Sequence, residues 1–259
     1  RLDEVSPARG PSSGGATVVI TGGGFSRRSA ALSYTHVRFN TTRVPAVWHS
    51  TSELRAVAPE HTVGLVMVSV TQNDQQYTGA LHFEYEDVAP HSIEPRTGPV
   101  RGGTMVVVRG SNVHGAPGGG EYGAFCKFAG SDVVGASFDG EGTVRCITPS
   151  ADAAGSAPVR LVIGDAVLVT TVSFVYHVEM SVGSVEPAVG EVAGGTLLRV
   201  RGSGFDPSVQ LAVRFGTLAV VSARVLSPTL LECTSPSQEV SGPLAVEVSR
   251  NWADFTVDE

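Results

Sequence analysis

One phrase recurs three times along the chain: a proline, a glycine three residues on, a Gly-Gly pair four after that, then a β-branched run closed by glycine. It reads Pro7, Gly10, Gly14-Gly15 and Gly22, then Pro95, Gly98, Gly102-Gly103 and Gly110, then Pro187, Gly190, Gly194-Gly195 and Gly202. The period is 88 and then 92 residues, and the spacing inside the phrase never slips. A repeat this long, with no long helical pattern inside it, implies that a whole domain has been duplicated. The expected domains are residues 1–88, 89–180 and 181–259. At about 86 residues each they suit a small β-sandwich and are marginal for most enzymes.

Inside a unit the pattern is that of short strands. Thr196 to Arg201, Ala212 to Phe215, Leu231 to Cys233 and Leu244 to Val248 are β-rich runs broken by Gly, Pro and Ser. The last alternates apolar and charged residues, as a strand with one face on a core does. In the first unit about seven strands are predicted, near 3–6, 16–21, 35–40, 44–48, 53–57, 63–71 and 77–85. Seven short strands with turn signals between them predict an immunoglobulin-like sandwich. The Gly-Gly pair supplies positive φ at a tight turn before a strand. No Lys-Ser/Thr follows it and no helix pattern begins there, so it reads as a turn and not as a phosphate cradle. Each unit closes with an aromatic pair or its relic, Phe83 and Tyr85, Phe174 and Tyr176, Phe255 and Val257. Alternate positions on a final strand face one way, so all three pairs are expected to anchor cores.

Net charge is −7, distributed as −1, −2 and −4 over the three units, so none carries the basic excess that phosphate binding needs. Lys127 is the only lysine among eighteen cations, which reads as a codon-composition bias. No run of about twenty apolar residues is present to span a bilayer as a helix. The chain starts two residues before a repeat, without an initiator Met or a signal peptide pattern, and is expected to be a mature or excised piece of something longer.

The Pro, Gly, Gly-Gly-Thr series, Gly22-Gly-Gly-Phe25, Gly202-Ser-Gly-Phe205, the Cys-x-x-Pro at 146–149 and 233–236 and the closing Phe-x-Tyr resemble the IPT/TIG family of immunoglobulin-like domains. The resemblance covers essentially the whole chain as three copies. It implies an all-β fold of three tandem immunoglobulin-like β-sandwiches in an elongated array. Tandem copies in that family occur in extracellular regions of plexin-like and fibrocystin-like receptors and in surface proteins. Single copies occur in some transcription factors and polysaccharide-processing enzymes, so the family fixes fold more firmly than function.

Aligning the units on the shared Phe (39, 128, 215) and Pro (59, 149, 236) places Val37, Cys126 and Val213 in one column and Ala56, Cys146 and Cys233 in another. Only the middle unit has both cysteines. A Cys126–Cys146 disulfide is therefore predicted, closing a loop of about twenty residues and contributing about 3 kcal/mol. It implies an oxidising compartment. Cys233, whose partner position holds Val213, reads as a buried free thiol. Asn40-Thr41-Thr42 is a glycosylation sequon, which with the disulfide favours secretion.

Positions 118–123 satisfy G-x-G-x-x-G, but no helix pattern follows, so the Gly-rich insertion Ser111 to Ala124 reads as a surface loop whose Tyr122 is a candidate partner contact. Asp132, Asp139 and Glu141 have a spacing that fits no calcium loop and read as a solvated turn. The seven histidines are scattered, and no zinc site is predicted. No nucleophile elbow or triad is recognised, and no enzyme activity or cofactor is expected. Trp48 reads as half-buried on a strand. Trp252, in Ser249-Arg250-Asn251-Trp252-Ala253-Asp254, falls at a hairpin tip, where it and Arg250 either meet a partner or fold back over their own sandwich.

Short connections, one stiffened by Pro90, favour a semi-rigid rod of roughly 100–120 Å. The leading expectation is a non-catalytic structural or adhesive segment of a cell-surface or extracellular-matrix protein, a spacer and protein-interaction array in a filament or coat. Its partners are other proteins or copies of itself. A receptor ectodomain stalk, and an accessory module of a polysaccharide-active enzyme with carbohydrate as ligand, are the alternatives. Nucleic acid is disfavoured by charge, and direct membrane insertion of this segment by hydropathy.

Overall fold

The computed structural model describes residues 1–113, 124–130, 133–138, 142–163, 166–217, 219–239 and 241–257. Its regular structure is almost entirely β. The first repeat contributes β1 (Leu2–Ser6), β2 (Arg9–Pro11), β3 (Thr17–Gly22), β4 (His36–Phe39), β5 (Thr42–Ser50), β6 (Glu53–Val57), β7 (Gly64–Thr71) and β8 (Thr78–Glu86). The second contributes β9 (Ala89–Glu94), β10 (Thr97–Pro99), β11 (Met105–Ser111), β12 (Ala124–Phe128), β13 (Val134–Phe138), β14 (Thr143–Ile147), β15 (Gly155–Ile163) and β16 (Ala166–His177). The third contributes β17 (Ser181–Glu186), β18 (Leu197–Ser203), β19 (Leu211–Phe215), β20 (Ala219–Ser227), β21 (Leu230–Thr234) and β22 (Val246–Ser249). Arg1–Ile93 with Val107–Cys146 and Pro158–Val172 forms one compact unit; Glu94–Val106 with Ile147–Ala157 and Ser173–Glu259 forms another.

The seven strands expected in the first repeat are present, with two additions. One is β2, a three-residue strand that lies parallel to β8, Arg9 opposite Glu84 and Gly10 opposite Tyr85. The other is a single turn, α1 (Arg27–Ala31), capped where Ser29 N donates to Ser26 Oγ at 3.3 Å. Five residues are too few for a helical period to show in sequence.

A strand that changes sheets closes each sandwich. The first half of β5 pairs with β4, Pro45 opposite His36, and its second half with β6, Ala46 opposite Ala56. In the second repeat β13 does the same, Val134 opposite Cys126 and Ala136 opposite Cys146. In the third, β20 passes from Ala223 opposite Leu211 to Arg224 opposite Glu232. Strand order in the first sheet is β1-β3-β6-β5-β4-β7-β8-β2, and in the third β17-β18-β21-β20-β19-β22.

The repeated glycines sit where sequence placed them. Gly14 and Gly15 have φ of 72° and 81°, Gly102 and Gly103 75° and 84°, Gly194 and Gly195 76° and 82°. In each repeat the first glycine lies against the backbone that follows the shared proline. A Cβ there would come within 2.5 Å of Glu60 N, 2.5 Å of Pro149 C or 2.6 Å of Ser237 N. The second glycine's N–H donates to Ala58, Thr148 or Ser235 O at 2.9–3.0 Å, which ties the turn to the facing strand. The prolines that open the phrase, Pro7, Pro95 and Pro187, all follow cis peptide bonds.

Alternation along β3 buries Val18 and Ile20. With Val37, Phe39, Leu54, Val66, Val68, Phe83 and Tyr85 they build the first core. Phe39 and Phe83 meet edge to face at 5.6 Å, and Phe83 meets Tyr85 at 4.9 Å. Phe174 and Tyr176 repeat the pair at 5.0 Å, and Tyr176 Oη donates to Pro149 O at 2.9 Å. The expectation for Phe255 and Val257 fails. Val257 is 75% exposed, and Phe255, though buried, lies over the Arg214 guanidinium at 4.2 Å, outside the third core of Leu198, Val200, Phe205, Leu211, Val213, Phe215, Leu231 and Val248. The reason is register. Thr256 N donates to Val248 O at 2.9 Å, so Thr256 occupies the place of Thr78 opposite Val70, and Phe255 that of Tyr77, which caps Arg38 at 4.0 Å.

Candidate interaction site

Residues Ser249 to Thr256 form the turn that follows β22, and polar side chains set its shape. The Asn251 side-chain oxygen Oδ1 accepts from Ala253 N at 3.0 Å, Asp254 N at 2.8 Å and Ser249 Oγ at 3.1 Å, an Asx-type turn that folds the chain around it. Its amide donates to Asp254 Oδ2 at 2.7 Å and to Thr97 O of the second repeat at 2.6 Å. Thr104 Oγ1 donates to the same carboxylate oxygen at 2.6 Å. Arg101 reaches Phe255 O at 3.5 Å and pairs with Glu179 at 3.5 Å. The turn is therefore clamped to the start of the second repeat, inside one compact unit.

His177 lies at the base of this seam, 8% exposed, its Nδ1–H donating to Val178 O at 2.8 Å. Burial holds its pKa below 6.5, opposed by the Val178 hydrogen bond and by Asp254 and reinforced by Arg250 and Arg101. Arg250, one of the candidate contacts, points back into its own repeat and pairs with Asp206 at 2.8 Å. Hydrogen bonds from Ser208 hold the Asp206 carboxyl below its ordinary pKa, and Arg250 adds to the effect. Trp252, between these anchored neighbours, has φ of 65° and is 49% exposed. Trp48 is half-buried, its indole N–H donating to Phe25 O at 3.1 Å under the Arg27 guanidinium.

The remaining expected residues are placed as follows. Cys126 and Cys146 are joined in a disulfide across β12 and β14, both fully buried, with Cα atoms 6.3 Å apart. Cys233 is an unpaired, buried cysteine beside Val213 in the third core; burial, with a smaller contribution from Glu232, pushes its thiol up to about 11. Asn40 sits exposed at φ 52° in the two-residue turn between β4 and β5. Tyr122, Asp132, Asp139, Glu141 and most of the Gly-rich insertion lie outside the described residues. Among the described residues no group of three or more His, Cys, Asp or Glu could hold a metal ion.

Sequence reasoning did not find Thr97, Arg101, Thr104, Glu179 and Asp254. The available signal was Asn251-x-x-Asp254, an Asx-turn spacing, in the stretch where the third repeat departs from the other two.

Sheet-switching sandwiches with a glycine turn beside a proline, repeated in tandem, define an array of immunoglobulin-like modules. The chain belongs to the IPT/TIG domain family, whose model matches residues 1–85, 90–176 and 180–258. It is 29% identical to human Plexin-B3 over 211 residues, which is 79% of this chain and 11% of that protein. It is 27% identical to human Fibrocystin-L over 251 residues, 95% of this chain and 6% of that protein. Among solved structures, the plexin A4 full extracellular region aligns over 97% of this chain and 23% of its own length, with TM-score 0.60 at 18% identity. The chain thus spans a small fraction of the relatives it matches.

Proposed function

We propose that the chain is a non-catalytic segment of a cell-surface protein, a receptor-type or adhesive array of IPT/TIG domains that presents surfaces to other proteins. The observation that carries this reading is the triple sandwich itself, matched along its length by the family and by plexin-type relatives. Its location is extracellular or at the cell surface, in keeping with a buried disulfide that persists only where thiols are oxidised. Within that reading the domains end at 88 and 180, the segment is a semi-rigid spacer, and Asn40 in its exposed turn carries the glycan. Partners are other proteins or copies of this chain, and Trp252 is the contact residue, because an exposed indole on a braced turn is ordered before binding. Arg250 acts through Asp206 to hold that turn.

The test is self-association of the full chain by sedimentation, comparing wild type with Trp252→Ala. A weakened association with unchanged melting supports the contact. Unchanged association, or a monomer throughout while surface-displayed chains still adhere, overturns it. Carbohydrate is the competing ligand, favoured by the same half-exposed indole. Quenching of Trp252 fluorescence by β-glucan oligosaccharides would move the reading to that class.

A further inference from the structure

Three equivalent turns carry three different residues at one position. After Phe39, Phe128 and Phe215 the backbone turns through Asn40, Ala129 and Gly216, with φ of 52°, 50° and 53°. The N–H of each donates at 2.8 Å to the facing strand, at Met67 O, Pro158 O and Ala245 O respectively. A left-handed position accounts for glycine or asparagine there. It does not account for a sequon, and only the first turn holds one: Asn40, Thr41 and Thr42 are all exposed. The facing strand departs from the pattern in the same repeat. On the outer face of β7, Leu65 is 66% and Met67 51% exposed, opposite Glu84 and His82 of β8. By register their counterparts are Ser156 and Pro158 in the second repeat and Pro243 and Ala245 in the third. Two large apolar side chains therefore lie bare on this face only where the adjoining turn carries a sequon.

The hydrogen bond from Asn40 N to Met67 O extends the β4–β7 ladder by one pair. Paired residues of that kind have Cα atoms about 5.5 Å apart, and Leu65 follows about 7 Å further along the same face. We infer that the glycan assigned above to Asn40, on which this inference rests, lies back over β7, its N-acetylglucosamine base covering Leu65 and Met67. The C–H face of a pyranose and the acetyl methyl group are apolar, while the ring hydroxyls stay in water. Such a ring can cover side chains that would otherwise form an exposed apolar patch. Because the sugar is bonded to the turn beside the patch, the contact is intramolecular and escapes the cost of bringing two molecules together. The consequence for function is that the β7 face of the first repeat is closed to protein partners by the chain's own glycan.

Met67 itself reports the covering, since an exposed thioether is oxidised by hydrogen peroxide. The full chain, secreted from a glycosylating host, is treated with peroxide and its methionine sulfoxides are timed by peptide mass spectrometry. Three forms are compared: intact, trimmed by an endoglycosidase to the first sugar, and freed of the glycan by an amidase. Met105, 57% exposed on β11 of the second repeat, is the internal reference. Relative to Met105, Met67 should oxidise several-fold faster once the glycan is removed and at an intermediate rate when it is trimmed. Should complete removal melt the first repeat, the trimmed chain carries the comparison. An unchanged Met67 rate with Asn40 occupied overturns the covering and leaves the glycan in place, whereas an unmodified Asn40 overturns both. Equal acceleration of Met67 and Met105 would assign the change to a loosened chain and also overturn it. So would protection of Met67 that survives deglycosylation and vanishes on dilution, because a second copy would then be the cover.

Discussion

The first and third repeats share a turn, a register and an Arg-aromatic cap, yet among the described residues they differ in the aromatic side chains of their cores. Arg38 under Tyr77 and Arg214 under Phe255 are the same feature twice. Phe83 and Tyr85, buried at the centre of the first repeat, have no counterpart among the described residues of the third core. The glycine turn and the sheet-switching strand are common to both repeats, whereas the aromatic filling of the core differs between them. The described residues of the third repeat still bury a continuous interior.

Where the two repeats agree, the same substitution should hurt them equally. Gly14→Val and Gly194→Val each combine positive φ with a backbone clash, at 2.5 and 2.6 Å respectively. Each should destabilise its repeat by on the order of 4 kcal/mol. Denaturant melts that show one repeat unaffected would break the equivalence. Where they differ, the response should split: Phe83→Ala should cost about 3–4 kcal/mol as a core truncation, Phe255→Ala about 1–2 kcal/mol as the loss of an outer-face cap. Equal losses would return Phe255 to the core and defeat the corrected register.

The cysteine columns extend the contrast to the second repeat. Val37 with Ala56, Cys126 with Cys146, and Val213 with Cys233 are three fillings of one buried place. Replacing Cys126 and Cys146 by that Val-Ala pair should lower stability of the middle repeat by about 3 kcal/mol, read as loss of the sensitivity of its melt to reductant. A melt already insensitive to reductant in the wild type would show that the bridge contributes nothing. Cys233→Ala should cost about 1 kcal/mol, since the thiol acts there as a small apolar group.

Much of this was legible in the chain. The fold followed from the phrase and its period, because positive φ and close backbone approach admit almost nothing except glycine. Phe83 and Phe174 were found because alternation on a strand fixes which way a side chain points. Phe255 was misread by matching residue type instead of counting. Thr78 and Thr256 each lie eight residues beyond the valine that faces the shared column, whereas Phe83 lies thirteen beyond and Phe255 only seven. The seam was hidden for a different reason. Asn251 and Asp254 look like an ordinary exposed tip until the second repeat supplies Thr97 and Thr104, and no local pattern encodes a contact made 150 residues away.

The seam predicts the smaller effects. Asn251→Ala removes the acceptor that shapes the turn and the donor to Thr97, and should cost about 1–2 kcal/mol, registered as faster amide exchange at Ala253 and Asp254. His177 should make the same seam pH-sensitive. Its folded pKa lies below the unfolded value of 6.5, so the unfolded chain binds more protons in the interval between them, and stability rises with pH there. The contribution is complete above about pH 6.5 and is lost as pH falls through the lower folded value. Asp206, also held below its ordinary pKa, contributes stability that is lost as pH falls through its lowered folded value. Protection factors at Thr97 and Asp254, taken relative to the intrinsic exchange rate at each pH, should fall as pH drops below about 6.5 in the wild type and stay flat in His177→Gln. The first repeat, whose described buried polar residues include no histidine, should lose less protection over the same interval. A response of equal size in both repeats would assign the effect to net charge, leaving the buried imidazole with no part in it.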